Sequence, residues 1–391
     1  MNIGIITQVP EIQINLDKDL YIEIAKEYEK LYIIDVSFDN KKKKIKLPKN
    51  FIYLKPNNYK ELGNIFANKK FLCLNYLYRG FKNLRLLFFI KKFDIKHFYV
   101  IRSSTIRMNE NLFIEKNRKL DFYLILFKKI FFKILAIFNL INNYEILFIS
   151  TVIKKEWYHS NRNALLNKIF NTNNFFLYKK IVSINDKTYD LNYNYRDKKS
   201  KKIISFIDTT LSKPEKVSSL YKPNDIQKKI FYQKLRNILK FLSKNLRMNL
   251  VVCLHPKTPM NDVSKYFKGL KCLRYKTSEI IKKSFLSVYL SSTTISESIF
   301  LRKNILLVDS NLIGTFHSYR VKHLIKKFKL NSINVDKDDY LNLIKNIKFT
   351  NKMKTTSFLN LSKEINIKQK KTGIKKIITT LNRYNNYEKF N

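Results

Sequence analysis

Short apolar runs that alternate with helix-forming stretches restrict the fold of this chain more than any other feature of its sequence. The runs are rich in Ile, Phe and Val and are bounded by polar residues, which is typical of buried strands. In the first half they lie at residues 3–7, 31–36, 51–54, 98–101 and 146–149, with apolar residues at helical spacing in 20–30. A further strand at residues 86–90 and a buried helical turn are both compatible with so short a run. The repeated strand–helix–strand order predicts a parallel sheet covered by helices.

The second half repeats this pattern after a change of composition at residues 186–202. That segment is polar and highly charged, so it is predicted to be an interdomain linker. Strands are predicted at residues 203–207, 250–254, 285–290 and 305–308, and helices at 225–244, 277–283, 294–301, 336–347 and 359–381. The sequence therefore predicts an α/β protein with two Rossmann-like domains that face a cleft, at residues 1–185 and 203–391.

The chain is strongly basic, with 77 Lys and Arg against 30 Asp and Glu and a formal net charge of +47. Such a surface attracts nucleotides, acidic glycans, anionic lipid or nucleic acid. The lysines are scattered, and abundant Lys, Asn and Ile are also typical of AT-rich coding sequences, so part of the excess is independent of function. Nucleic-acid binding is not favoured because the sequence has no RRM, KH, helix–turn–helix or zinc-finger signature.

The cysteines and the N-terminus are informative about the cellular compartment. Cys73, Cys253 and Cys272 have no CxxC spacing, which favours neither a disulfide framework nor a zinc site and fits a reducing, cytoplasmic compartment. Residues 1–8 predict a first strand and not a signal peptide.

The most apolar segment, residues 122–149, is interrupted by lysines and asparagines, which disfavours a membrane-spanning helix. Residues 121–141 are predicted to form an amphipathic helix with Lys128, Lys129 and Lys133 at its polar edge. Such a helix either lies on the inner face of an anionic membrane or packs on the first domain.

Polar residues follow three predicted strands of the second half, where ligands of open α/β sheets bind. GxGxxG and Walker A patterns are absent, which argues against dinucleotide oxidoreductases and P-loop ATPases. The polar residues are Asp208 after 203–207, His255, Pro256 and Lys257 after 250–254, and Ser291, Ser292, Thr293 and Thr294 after 285–290, with Glu297 close behind.

Each of these residues has a chemical and a structural interpretation. The four hydroxyls from Ser291 to Thr294 suit phosphate binding or helix capping, and Glu297 either completes a capping box or holds a ribose hydroxyl. His255 donates to a phosphate oxygen and protonates a leaving group, or it closes a strand end. Asp208 deprotonates an acceptor hydroxyl, or it caps the turn that follows.

Residues 180–310 resemble bacterial surface-polysaccharide glycosyltransferases of the two-domain GT-B fold. The resemblance rests on the sequences FIDTTLSKPE, LHPKTP and TSEIIKKSFLSVYLSSTTISESIF. Their His-Pro and Ser/Thr motifs are similar to those of bacterial sialyltransferases, which use a CMP-activated sugar. The acidic-acidic-glycine motif of those enzymes is absent here.

The resemblance implies transfer of a sugar, without a metal ion, from a nucleotide donor to a surface glycan or lipid-linked acceptor. The likeness to sialyltransferases points to a sialic-acid-like or other acidic sugar and a CMP-linked donor. It implies that the C-terminal domain binds the donor and the N-terminal domain the acceptor. Asp208 becomes the candidate base and His255 the candidate acid. The donor-binding residues that it implies are His255, Pro256, Lys257, Thr277, Glu279, Ser291, Ser292, Thr293, Thr294 and Glu297.

Two alternatives stay open on the sequence. A glycerol-phosphate or phosphosugar transferase of wall or capsule assembly would use the same His255 and Ser/Thr cluster. A non-catalytic basic protein that binds nucleic acid or an anionic membrane would account for the net charge.

Overall fold

The computed structural model describes residues 2–38, 47–77, 80–102, 119–150, 178–192, 202–209, 211, 223–337, 339–365 and 372–390. These residues form two compact α/β units. Unit 1 contains the described residues up to 190 together with 372–390, and unit 2 contains those from 191 to 365. The predicted α/β fold class with two Rossmann-like domains is confirmed.

Unit 1 is built on one parallel sheet. Its strands are β1 (Asn2–Thr7), β2 (Leu31–Asp35), β3 (Phe51–Leu54), β4 (Phe71–Asn75), β5 (Lys96–Ile101), β6 (Tyr144–Ser150) and β7 (Tyr178–Ile184). The spatial order is β3–β2–β1–β4–β5–β6–β7, so sheet growth changes direction between β1 and β4. The helices are α1 (Pro10–Leu16), α2 (Lys18–Glu27), α3 (Tyr59–Asn68), α4 (Leu84–Lys92), α5 (Lys119–Ile137) and α6 (Lys187–Asn192), at which the chain passes into unit 2.

Unit 2 has a second parallel sheet with the same kind of strand order. Its strands are β8 (Ile203–Ile207), β9 (Asn249–Leu254), β10 (Lys271–Arg274), β11 (Leu286–Tyr289), β12 (Asn304–Asp309) and β13 (Asn331–Asn334). The order is β10–β9–β8–β11–β12–β13, so the direction of growth changes between β8 and β11. The helices are α7 (Asp225–Leu246), α8 (Met260–Tyr266), α9 (Thr277–Lys283), α10 (Ile295–Phe300), α11 (Thr315–Phe328), α12 (Tyr340–Lys345) and α13 (Asn351–Ile365), after which α14 (Gly373–Phe390) returns to unit 1.

Alternation of apolar side chains produces the layers of unit 1. Ile5 of β1 packs in a cluster with Leu20 of α2 and Leu381 of α14, whereas the next residue, Ile6, packs with Leu62 of α3. Successive residues of a strand point to opposite faces, so both faces of β1 are covered by helices. This is why the strands are recognisable as continuous apolar runs.

The structure confirms most of the predicted elements and corrects others. Nine predicted strands and the long helix α7 are present within two residues of their expected ends. Residues 86–90 belong to α4, in which Leu86, Leu87 and Ile90 are buried at helical spacing. Unpredicted strands include β4, which lies in the middle of the unit 1 sheet and is buried. They also include β7, β10 and β13, which lie at sheet edges and carry lysine or asparagine among their apolar residues.

The domain boundaries differ from the prediction at two places. The predicted linker 186–202 contains α6, and its residues 193–201 lie outside the described residues. The single helix expected at 359–381 is two helices, α13 and α14, and α14 does not belong to the second unit. The reason is burial, because Ile377 and Leu381 are completely buried in the core cluster of Ile3 and Leu20.

A buried ion cluster joins separate segments of unit 1. Arg102, which follows β5, donates to both carboxylate oxygens of Asp19 at 3.2 and 2.7 Å and to Asp190 at 3.3 Å. Asp190 also accepts the backbone N–H of Gly373 at 2.8 Å. A side chain at Gly373 would place its Cβ only 2.8 Å from Asp190 Oδ2. One carboxylate therefore bonds the end of the segment that leaves unit 1 to the start of the helix that returns.

We predict that Arg102→Met lowers the free energy of unfolding by about 3–5 kcal/mol, since it leaves the buried Asp190 carboxylate without its cation. Denaturant unfolding measures this loss. Lys96→Met is the matched control because Lys96 pairs with a largely exposed Asp94, and such pairs contribute about 0–1 kcal/mol. Equal effects of the two substitutions would contradict the prediction.

Candidate functional site

Three neighbouring strands of unit 2 bring the predicted polar residues to one edge of the sheet. Ile207 of β8 pairs with Cys253 of β9 on one side and with Tyr289 of β11 on the other. The residues that follow these strands therefore lie at the same level, at the point where strand order reverses. This edge is where open α/β sheets bind ligands. Neighbouring strands lie about 4.8 Å apart, so the ends of β9 and β11 are separated by roughly 10 Å.

Asp208 connects the ends of β8 and β9. Its side chain is buried, at 2% exposure, and accepts the hydroxyl of Thr258 at 2.5 Å and the backbone N–H of His255 at 3.4 Å. Its own backbone N–H donates to the carbonyl of Cys253. These contacts fit the turn-capping interpretation, in which the carboxylate serves as an acceptor within the fold.

The loop from His255 to Thr258 is held from both sides. Lys257 donates its backbone N–H to His255 Nδ1 at 3.2 Å, and Thr258 donates its backbone N–H to the His255 carbonyl at 3.0 Å. Arg274, at the end of β10, donates to the carbonyls of Pro256 and Thr258. Because an amide N–H only donates, Nδ1 of His255 is the acceptor, and the neutral ring carries its proton on Nε2.

Only some hydroxyls of the Ser/Thr cluster form hydrogen bonds within the turn that contains them. Ser292 Oγ lies 3.0 Å from Thr294 Oγ1, and the Thr294 backbone N–H reaches Ser292 Oγ at 3.4 Å. Thr294 is the N-cap of α10 but makes no side-chain capping bond. The capping-box interpretation of Thr294 and Glu297 is therefore not realised. Ser292, Thr293 and Thr294 are half-buried beyond the end of β11.

Glu297 lies in the first turn of α10 and is bonded to Ser278, which was not among the predicted site residues. Its carboxylate is buried, at 4% exposure, and accepts the hydroxyl of Ser278 at the start of α9. Glu279 instead forms an ion pair with Lys283 at 2.5 Å along α9, and this contact lowers the pKa of the Glu279 carboxyl. The structure therefore brings Ser278 to Glu297, and Glu279 pairs along its own helix.

Three further predicted residues lie in the loop and at the start of the helix. Lys257 is exposed, Pro256 is half-buried, and Thr277 is half-buried at the first position of α9. Their roles in donor binding stay predictions.

His317 is the main residue of this edge that the sequence analysis misses. It lies in the first turn of α11, which follows β12, and its Nδ1 is 2.6 Å from Ser291 Oγ. Both side chains are buried. The sequence contains no motif that identifies His317, because a single histidine near a helix start forms no pattern. Thr258 and Ser278 also belong to no motif, and their importance follows only from the carboxylates that they bond.

In the described residues, no group of three or more His, Cys, Asp or Glu side chains has the arrangement of a metal site. No helix in the described residues has the length and apolar character needed to cross a membrane.

The sequence matches no family model, and it matches no curated protein. Solved structures share its fold over almost the whole chain. Phytolacca americana UGT2, complexed with UDP-2fluoro-glucose and pterostilbene, has a TM-score of 0.52 and 9% identity, covering 98% of this chain and 99% of that one. The S. aureus MnaA–UDP structure has a TM-score of 0.50 and 13% identity, with coverages of 98% and 96%.

The calicheamicin glycosyltransferase CalG4 also matches, with a TM-score of 0.50 and 6% identity over 98% of this chain and 97% of that one. At these identities the comparisons establish the fold. That fold is the two-domain GT-B architecture that the sequence resemblance implied.

We predict that Thr258→Val lowers the free energy of unfolding by about 1–3 kcal/mol, because the buried Asp208 carboxylate loses a hydroxyl donor without a change of side-chain shape. Urea unfolding measures the effect. Thr355→Val on α13 is the control, since Thr355 is exposed and surface changes usually stay within about 0.5 kcal/mol. A Thr258 variant as stable as the control would rule out a structural role for this bond.

Proposed function

We propose that this chain is a glycosyltransferase whose nucleotide-sugar donor binds at the carboxyl edge of the unit 2 sheet. The observation that carries the proposal is that His255 follows β9 and the Ser/Thr cluster, with Glu297 close behind it, follows β11, on either side of β8 at the reversal of strand order. The GT-B architecture supports it, since two of the similar structures are described as complexes with UDP or a UDP-sugar.

The donor phosphates would take hydrogen bonds from neutral groups. His255 Nε2–H is a fixed donor, because the Lys257 amide occupies Nδ1. The hydroxyls of Ser292, Thr293 and Thr294 supply further donors two strands away. Pro256 fixes the backbone beside the ring, and Lys257, which is exposed, adds a cation. Donors held in place in this way stabilise charge that develops as the sugar–phosphate bond breaks.

His255 would act as a hydrogen-bond donor from Nε2, because its Nδ1 accepts the Lys257 amide. Transfer of a proton from this ring to the leaving group stays a prediction from the sequence. The contribution of the Nε2–H group to catalysis is the stabilisation of a phosphate oxygen.

Asp208 would position this loop, and we propose that role in place of the base role. A base must reach the acceptor hydroxyl, whereas the Asp208 carboxylate is buried and engaged with Thr258 and the His255 amide. Glu297, which is also buried and bonded to Ser278, keeps its proposed role of holding a ribose hydroxyl. Thr277 begins the helix that carries Ser278 and would act through it.

The nucleotide and the acceptor are the finer parts of the proposal. UDP is the first nucleotide to test, because UDP or a UDP-sugar is bound in similar structures, and CMP is the second, because of the His-Pro and Ser/Thr motifs. The acceptor we propose is a surface glycan or a lipid-linked glycan. A phosphosugar or glycerol-phosphate transferase would share the phosphate-binding residues, and it is distinguished by the group that appears in the product.

The experiment is thermal unfolding with nucleoside mono- and diphosphates, followed by transfer assays with the sugar derivatives of any nucleotide that binds. A ligand that binds only the folded chain raises the apparent Tm. Release of free nucleotide together with a sugar-extended acceptor supports the proposal. If no nucleotide raises the Tm or is consumed, the chain is not a nucleotide-sugar enzyme.

We predict that His255→Ala lowers kcat by ~10²-fold, the loss expected for one donor aimed at developing charge. His255→Gln, which keeps an N–H near the position of Nε2, should recover part of the rate. His323→Ala on α11 is the control and should leave kcat within about twofold. Steady-state kinetics on folded variants measure these rates. A His255→Ala variant with the wild-type kcat would show that His255 does not take part in catalysis.

We also propose that unit 1 binds an anionic membrane surface through α5. Phe132, Leu135 and Ala136 on one side of α5 are buried against α4. On the opposite side lies an exposed apolar stripe, made of Tyr123, Phe127, Ile134 and Ile137, with exposures from 46% to 68%. Helical residues at these spacings share one face, and the basic chain favours anionic lipid.

We predict that Phe127→Ser/Ile134→Ser lowers the partition onto vesicles of phosphatidylglycerol and phosphatidylcholine by at least ~10-fold, since each apolar side chain contributes about 1.5–3 kcal/mol on burial. Vesicle sedimentation measures it. Ile226→Ser/Met260→Ser removes exposed apolar side chains of unit 2 and is the control. Equal binding by both double variants, or no binding by the wild type, would contradict a membrane role for α5.

A further inference from the structure

The Ser291–His317 pair contains a buried polar atom that the fold itself does not satisfy. His317 is 4% exposed, and its Nδ1 is bonded to Ser291 Oγ at 2.6 Å, whereas its Nε2 is buried without a hydrogen-bond partner. Buried polar atoms are nearly always paired, and leaving one unpaired costs about 1–3 kcal/mol. An unpaired, buried nitrogen at a ligand-binding edge indicates that the His317 ring is held in place to bond a ligand.

The His317 ring lies at the same edge of the sheet as the predicted site residues. Ser291 begins the hydroxyl run beyond β11, and the first turn of α11 follows β12, the next strand of the sheet. Thr209 Oγ1, one residue after Asp208, is a second buried atom of this edge that has no hydrogen-bond partner in the described part of the chain. Two unsatisfied atoms on the same edge of the sheet are more easily explained by a bound ligand than by a packing defect.

Charge favours an anionic ligand. Burial, with a further contribution from Arg320 on the same helix, lowers the pKa of His317 to about 4. The ring is therefore neutral at physiological pH and can donate from one nitrogen. Asp309, at the end of the preceding strand β12, accepts the Ser318 hydroxyl at 2.9 Å. The positive field of Arg320 and the amide groups of the first turn of α11 attract negative charge to this position.

We propose that Ser291 donates to His317 Nδ1 and that His317 Nε2–H binds a phosphate oxygen of the donor nucleotide. This inference rests on the proposed function for the identity of the ligand. It makes His317 a second imidazole donor, on the opposite side of β8 from His255. Ser291 would then be a positioning residue that fixes the tautomer of the ring, and the half-buried hydroxyls after it would contact the ligand directly.

The test uses two substitutions that separate the ring nitrogens. His317→Asn keeps an amide near the position of Nδ1 and so keeps the bond to Ser291, but it has no atom at Nε2. His317→Gln places an N–H near Nε2. His323→Asn makes the same change on the same helix and serves as the control. The probes are inorganic pyrophosphate, UDP and CMP, titrated by calorimetry into each full-length variant.

We expect His317→Asn to weaken the binding of pyrophosphate, and of any nucleotide that the wild type binds, by about 10-fold, the effect of one hydrogen bond to a charged group. His317→Gln should restore most of this affinity, and His323→Asn should stay within about twofold of the wild type. A purely structural role would lower the Tm of His317→Asn without a change in Kd. The chain has 5 histidines, so the wild-type His317 ring signal can also be followed by NMR as pyrophosphate is added.

Each outcome is decisive. If a nucleotide binds and is turned over but His317→Asn has the wild-type Kd and the His317 signal does not move, the inference is wrong and the proposed function stands. If pyrophosphate binds through His317 but no nucleotide binds, the phosphate site is correct and the proposed function fails. If His317→Asn does not fold, an unmoved wild-type NMR signal overturns the inference. If no probe binds the wild type, both fail.

Discussion

The candidate site depends on a single buried carboxylate that joins two neighbouring strand ends. Asp208 accepts the Thr258 hydroxyl and the His255 amide, and a buried charge persists only when bonds of this kind offset the loss of water. The loop that carries His255 is thereby fixed to the end of β8. Because β8 also pairs with β11, the same frame holds the Ser/Thr cluster. The Asp208 side chain thus fixes the His255 loop, and strand pairing fixes the Ser/Thr cluster relative to the same strand.

Much of the fold was predictable from the sequence, because the central strands are covered on both faces and appear as uninterrupted apolar runs. Three of the four edge strands were not, since half-covered strands such as β10 and β13 mix polar and apolar residues without a clear period. Two strands are exceptions: the edge strand β3 was predicted, and the central, buried strand β4 was missed. The packing of α14 on unit 1 was not predictable from the sequence either. Its apolar spacing shows that it packs on something, but not that Ile377 and Leu381 enter the core of the first unit.

The candidate site was predictable only in part, for a related reason. Strand ends are local features, so the positions of Asp208, His255 and Ser291 follow from the pattern. Partners are not local: Ser278 bonds Glu297 across 19 residues, and Ser291 bonds His317 across 26. The spacing of Thr277 and Glu279 does not indicate that Ser278, which lies between them, bonds the Glu297 carboxylate. A single sequence does not contain that kind of information.

The return of α14 to unit 1 has a consequence for how the chain is made. The core of unit 1 lacks Ile377 and Leu381, and Asp190 lacks the Gly373 amide, until those residues have been synthesised. All described residues of unit 2, which end at 365, leave the ribosome earlier. Unit 1 therefore completes its core only after all described residues of unit 2 have been synthesised. Until then the apolar surface of unit 1 that Ile377 and Leu381 cover stays open.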